Sequence, residues 1–126
     1  MPVPKAILRS AGSLPKIEIL IERKHFAKFE FFIYDQTDQN PTKFAQGDNG
    51  DNVPDVFEIG TGGAVAALNK RALFWQAALA SFSPTAGENY SVIVRILQDG
   101  QVVGIDSKIG SMSDPIPFGF IRLSVV

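Results

Sequence analysis

The chain has 126 residues, a mass of 13.7 kDa and a net charge of −1 from 12 basic and 13 acidic side chains. Its length suits one domain, and 45% hydrophobic residues exclude disorder as the default state while leaving material for a core that needs no staple. The absence of cysteine excludes disulfides, thiol catalysis and thiolate metal sites, and the near-neutral charge sets up no field toward nucleic acid or an anionic membrane.

The first ten residues, MPVPKAILRS, lack the continuous apolar segment of a signal peptide, and no stretch reaches the roughly 20 apolar residues that span a bilayer. The expectation is a cytoplasmic protein, with export lacking a cleaved leader left open.

From Lys16 to Arg23 the run KIEILIER places Ile17, Ile19 and Ile21 on one side and Glu18 and Glu22 on the other, the period-2 alternation of a strand with one wet face. After a basic turn at Arg23, Lys24 and His25, the run KFEFFIY from Lys28 to Tyr34 repeats the pattern. Phe29, Phe31 and Ile33 point inward there, and Glu30, Phe32 and Tyr34 outward. The two runs are predicted to pair as a hairpin, with Phe32 and Tyr34 forming an aromatic surface or packing beneath a loop.

Between Asp35 and Pro54 the composition turns to Asp, Asn, Gln, Thr, Gly and Pro, with Phe44 the one large apolar residue before Val53. Residues 35–58 carry six acids against Lys43 alone, whereas residues 1–28 carry six bases against two acids. This segment is predicted to be a long acidic loop, and loops of such length in small domains tend to be functional, to be disordered or to hide a short element.

Val56-Phe57-Glu58-Ile59 resumes a strand, and Gly60-Thr61-Gly62-Gly63 stops it. Residues 64–71 contain good helix formers and predict a short helix; residues 73–82, rich in both aromatics and alanine, suit a buried strand better than a continued helix. Tyr90–Gln98 and Gln101–Ile109 flank Asp99-Gly100, a dipeptide that tolerates the positive φ of a type I′ turn, and so predict a hairpin. Gly110–Pro117 reads as a loop because two prolines cannot both serve a central sheet. Phe118–Val125 reads as the last strand.

Seven to eight strands separated by turn signals, without the recurring helices that parallel crossovers need, predict an all-β, antiparallel sandwich, immunoglobulin-like or jelly-roll-like, forming a single domain over 1–126. The spacing Gly87-x-x-Tyr90-x-Val92-x-Val94, with Trp75 on the preceding strand, resembles the approach to the tyrosine corner of immunoglobulin-like sandwiches, although the cysteine pair of antibody domains is absent.

The sharpest chemical cluster is Asp48-Asn49-Gly50-Asp51-Asn52, with Asp55 close behind. Hard cations such as Ca²⁺ take six to eight oxygen ligands, so Asp48, Asp51 and Asp55 are the candidate metal ligands, although the EF-hand spacing and its closing glutamate are missing. The competing reading is a solvated turn whose Asp and Asn side chains cap their own backbone. His25, the sole histidine, sits among Arg23, Lys24 and Lys28 and reads as a surface residue; no Gly-x-Ser-x-Gly elbow accompanies it. Gly60–Gly63 lacks the Lys-Ser/Thr of a phosphate-binding loop.

The resulting expectation is a non-catalytic binding module, lectin-like or protein-recognising, that uses the acidic loop at one end of the sandwich, with Tyr34, Phe44 and Asn52 as ligand contacts. It binds a protein or a carbohydrate, not nucleic acid or membrane, forms a homo-oligomer, and needs no cofactor unless Ca²⁺ occupies the loop. The alternatives are a structural protein that self-associates through strand edges and aromatics, and a small hydrolase working with carboxylates.

Overall fold

Each alternating run of the sequence becomes a strand because one side of it finds a second sheet to pack against. The computed structural model describes residues 3–21, 25–50, 55–60, 63–81 and 89–126. Among these described residues nine strands are present: β1 (Lys5–Leu8), β2 (Lys16–Ile21), β3 (His25–Ile33), β4 (Thr42–Asp48), β5 (Asp55–Glu58), β6 (Ala72–Ser81), β7 (Asn89–Gln98), β8 (Gln101–Ser111) and β9 (Phe118–Val125). They form a five-stranded sheet in the order β1-β9-β6-β3-β4 and a four-stranded sheet in the order β5-β2-β7-β8. All pairings are antiparallel except β1 with β9. The all-β sandwich is therefore as the sequence predicts, with nine strands in place of seven to eight. No helix among the described residues is long and apolar enough to cross a membrane.

The inward residues of both sheets interdigitate as one core. Ile17 and Ile19 of β2, Phe29, Phe31 and Ile33 of β3, Leu73 and Trp75 of β6, Val92, Val94 and Ile96 of β7, and Ile121 and Leu123 of β9 are essentially sealed from solvent. Trp75 crosses between the layers: its Nε1 donates to Asp106 Oδ2 of β8 at 2.8 Å, in a buried bond joining the two sheets.

The predicted hairpin between 16–23 and 28–34 does not form. β2 pairs with β5 and β7, whereas β3 pairs with β4 and β6 in the other sheet. Both runs have one apolar and one polar face, and placing them in facing sheets buries those apolar faces against each other as a hairpin would not. The hairpin of β7 and β8 does form, with Asp99 at φ 52° and Gly100 at φ 79°. The short helix predicted over 64–71 shrinks to one 3₁₀ turn, Val65–Leu68, that tucks Val65 and Leu68 into the core.

The predicted loop at 110–117 is shortened by β8, which runs to Ser111. Its prolines do serve the sheet, as acceptors: Leu79 N donates to Pro115 O at 2.9 Å and Ala77 N to Pro117 O at 3.0 Å. A proline lacks only the donor, and β6 asks this segment for carbonyls.

The long acidic loop is the largest correction. Thr42–Asp48 is strand β4, paired with β3, and Phe44 sits at an irregularity in that pairing, since Phe31 faces Ala45 while Phe32 faces Lys43. The extra residue at the bulge turns the half-buried Phe44 toward the core, where its ring stacks on Phe31 at 6.1 Å. Polar composition hid the strand because β4 is a sheet edge, wet on more sides than a central strand.

Candidate functional site

With β4 assigned, the free part of the acidic segment reduces to two short pieces. In the first, the Asp35 carboxylate is consumed locally: Oδ1 accepts from Thr37 N at 2.9 Å, Thr37 Oγ1 at 2.6 Å and Gln39 N at 3.0 Å, and Oδ2 accepts from Asn40 Nδ2 at 2.8 Å. These bonds, that from the Thr37 hydroxyl first, hold its pKa far below the ordinary 3.8. Asp38, at φ 61°, takes both guanidinium nitrogens of Arg122 at 2.6 and 3.0 Å, and this bond lowers its pKa too. In the turn between β7 and β8 Asp99 is lowered by Ser13, whose hydroxyl donates at 2.6 Å, and by Arg9.

All three carboxylates bind protons more weakly folded than unfolded. Their contribution to stability is present above about pH 3.8 and is lost as the pH falls below it, because the unfolded chain then takes up protons first. Urea midpoints are expected to stay flat from neutral pH to about pH 4 and to fall below it, and Asp35→Asn is expected to flatten that fall.

The second piece joins the sheets. Asp48 ends β4, exposed, with Oδ1 accepting from Gly50 N at 3.0 Å, and Asp55 begins β5 opposite Ile19 in the other sheet. Asp51 and Asn52, the other metal and ligand candidates, lie outside the described residues, and among the described residues no three acidic or histidine side chains converge. Of the remaining ligand candidates, Phe44 packs against the core and Tyr34 lies elsewhere, just past β3, its backbone oxygen accepting from Arg71 Nε at 2.8 Å. The His25 side chain is also outside the described residues. Among the described candidates, Tyr34 and Phe44 thus lie apart, one just past β3 and the other within β4 against the core.

The structure gathers a different set. On the outer face of the five-stranded sheet Phe32 of β3 stands directly opposite Phe74 of β6, and Phe74 directly opposite Phe120 of β9. Their centroids are 5.9 and 5.0 Å apart; Phe118 joins at 6.1 Å from Phe74, and Tyr34 at 6.3 Å from Phe120. Phe118 is 55% exposed and Phe120 38%. The Lys43 ammonium lies 5.9 Å from the Phe32 ring centroid and 2.9 Å from Glu30 Oε2, closing one flank of the row, while the Arg122–Asp38 pair stands at the other.

Toward the far end of the same face the aromatic ridge gives way to a shallow hollow lined by Ala78 and Ala80, with Phe26 and Lys28 beside them and Asp48 and Asn49 at the rim. The row exists because β3, β6 and β9 each carry aromatic residues at outward positions while Ile33, Trp75 and Ile121 fill the inward ones.

Comparison of the chain with models of protein families, with curated protein sequences and with solved structures returns no match.

Proposed function

We propose that the chain is a non-catalytic recognition module whose contact surface is the outer face of the five-stranded sheet, and that its ligand is an apolar segment of a partner protein. The observation that carries this reading is the row Phe32, Phe74 and Phe120 with Phe118 beside it on the outer face, where Phe118 and Phe120 stand exposed. At about 200 Å² per aromatic side chain, the exposed parts of this cluster leave on the order of 300 Å² of apolar surface, the scale at which a patch marks an interaction site.

Ring chemistry favours protein over sugar. A pyranose stacks on a flat ring with polar groups at its rim, whereas neighbouring rings here are tilted by 37° to 52° and all but Tyr34 lack a polar tip. A ridge of tilted rings beside an alanine-lined hollow suits side chains that interdigitate.

The test is a peptide-display selection run in parallel on the wild-type chain and on Phe118→Ser/Phe120→Ser. Both rings are substantially exposed, so the double variant is expected to keep its fold, checked by circular dichroism. Aromatic- and aliphatic-rich peptides are expected to bind the wild type and to lose at least about tenfold in affinity on the variant. Peptides that bind both proteins equally would contradict the proposal, as would Ca²⁺-dependent glycan binding that survives the double substitution; the latter would return the function to Asp48, Asp51 and Asp55.

A further inference from the structure

The four-stranded sheet ends in β8, which pairs with β7 on one side and has no strand of its own sheet on the other among the described residues. Its regular part begins after an irregularity at Val103 and runs Gly104-Ile105-Asp106-Ser107-Lys108-Ile109-Gly110. Read outward from Ser107, this run meets an acid on one side and a base on the other, then isoleucine on both sides, then glycine on both sides.

We infer that β8 is the contact by which two copies of this chain dimerise, pairing antiparallel about a two-fold axis at Ser107 to join their four-stranded sheets into one. In that register Ile105 faces the partner's Ile109, Asp106 faces the partner's Lys108 and Gly104 faces the partner's Gly110. An isologous contact requires every pair to occur twice, and this run satisfies that with apolar on apolar and opposite charge on opposite charge.

Three observations say that this edge is completed by a second copy. Ile105 and Ile109 are 52% and 80% exposed on the outer face of the sheet, beside Ile93 at 38%, so the facing pairs would extend an apolar stripe that now ends at a sheet edge. Asp106 is buried with one hydrogen bond, from Trp75, and no described cation pairs with it; Lys108 is exposed and no described carboxylate pairs with it. The dimer supplies each with the other. Finally, at Gly104 a Cβ would stand 3.0 Å from Ala6 Cα and 3.3 Å from Lys5 O, so β1 crowds this end of β8. The partner residue that falls there is Gly110, which directs no side chain at β1.

This edge belongs to the sheet opposite the aromatic row, so pairing leaves both rows open and gives a bivalent module; dimerisation and aromatic recognition also stand or fall separately. Sedimentation equilibrium is expected to give twice the 13.7 kDa chain mass. Lys108→Glu sets like charges opposite each other and is expected to raise the dissociation constant at least about tenfold while leaving the circular dichroism of the dilute chain unchanged.

Because the chain has no cysteine, Ser107→Cys reads the register directly. Opposed residues of an antiparallel pair have Cα atoms about 4.5–5.5 Å apart, within disulfide reach, so mild oxidation is expected to cross-link this variant rapidly and the exposed control Ser113→Cys slowly. A strict monomer at millimolar concentration would overturn the inference. So would a dimer indifferent to Lys108→Glu, one that Ser107→Cys fails to trap, or one abolished by Phe118→Ser/Phe120→Ser instead.

Discussion

Trp75→Ala is expected to leave the chain barely folded. Removing a fully buried tryptophan forfeits about 3–5 kcal/mol of packing, and the same change leaves the Asp106 carboxylate buried without its donor, at a further cost of about 1–3 kcal/mol. Small domains are stable by only about 5–15 kcal/mol, so the sum approaches the whole. Trp75→Phe separates the two parts, since it keeps most of the ring packing and deletes only the Nε1 donor. Urea unfolding followed by circular dichroism is expected to rank wild type above Trp75→Phe and Trp75→Phe above Trp75→Ala. A phenylalanine variant as stable as wild type would show that the bond between the sheets contributes nothing.

Gly119→Ala is expected to be damaging for the opposite reason. A Cβ at this position of β9 would stand 2.7 Å from Trp75 Nε1 and 3.0 Å from Trp75 Cε2, and closer still to Asp106 Oδ2. Overpacking a core generally costs about 1–3 kcal/mol, and here the atoms that must yield are the two partners of the buried bond. Gly100→Ala is the control: nothing lies within 4 Å of its Cβ, and only its φ of 79° opposes the substitution. An ordinary left-handed penalty of about 1 kcal/mol is expected there. Equal midpoints for the two alanine variants would mean that the space around Trp75 is looser than the structure draws it.

Strands with a clean period-2 pattern were legible from residues alone. Ile17, Ile19 and Ile21 mark β2, the Asp99-Gly100 turn fixes the β7–β8 hairpin, and Phe118–Val125 matches β9 residue for residue. Pairing was not legible, because alternation states which side of a strand is apolar and says nothing of which strand lies beside it. This is why β2 and β3 read as a hairpin and fold into separate sheets. β1 carries no clear strand signal, because its four residues lie among prolines, a serine and basic residues, and its parallel pairing with β9 depends on the far end of the chain.

The site was half legible. Phe32 and Tyr34 were placed outward by alternation along β3, correctly, and the same rule applied to Phe74, Phe118 and Phe120 would have found the rest of the row once β6 and β9 were set beside it. The acidic residues cluster in sequence. In space Asp35 serves its own turn, Asp38 ties that turn to Arg122 of β9, and Asp48 and Asp55 end and begin strands of different sheets. Carboxylates close in sequence thus serve different places in the fold, whereas the aromatic row becomes visible only with the strand order.

The most direct measurement is the map of amide chemical-shift changes when a peptide selected on the wild-type chain is titrated into isotopically labelled protein. Changes centred on Phe32, Phe74, Phe118 and Phe120, with residues 35–40 and 51–55 unmoved, are the expected result. Changes centred on 35–40 or 51–55, with the aromatic row silent, would contradict the assignment of recognition to this face.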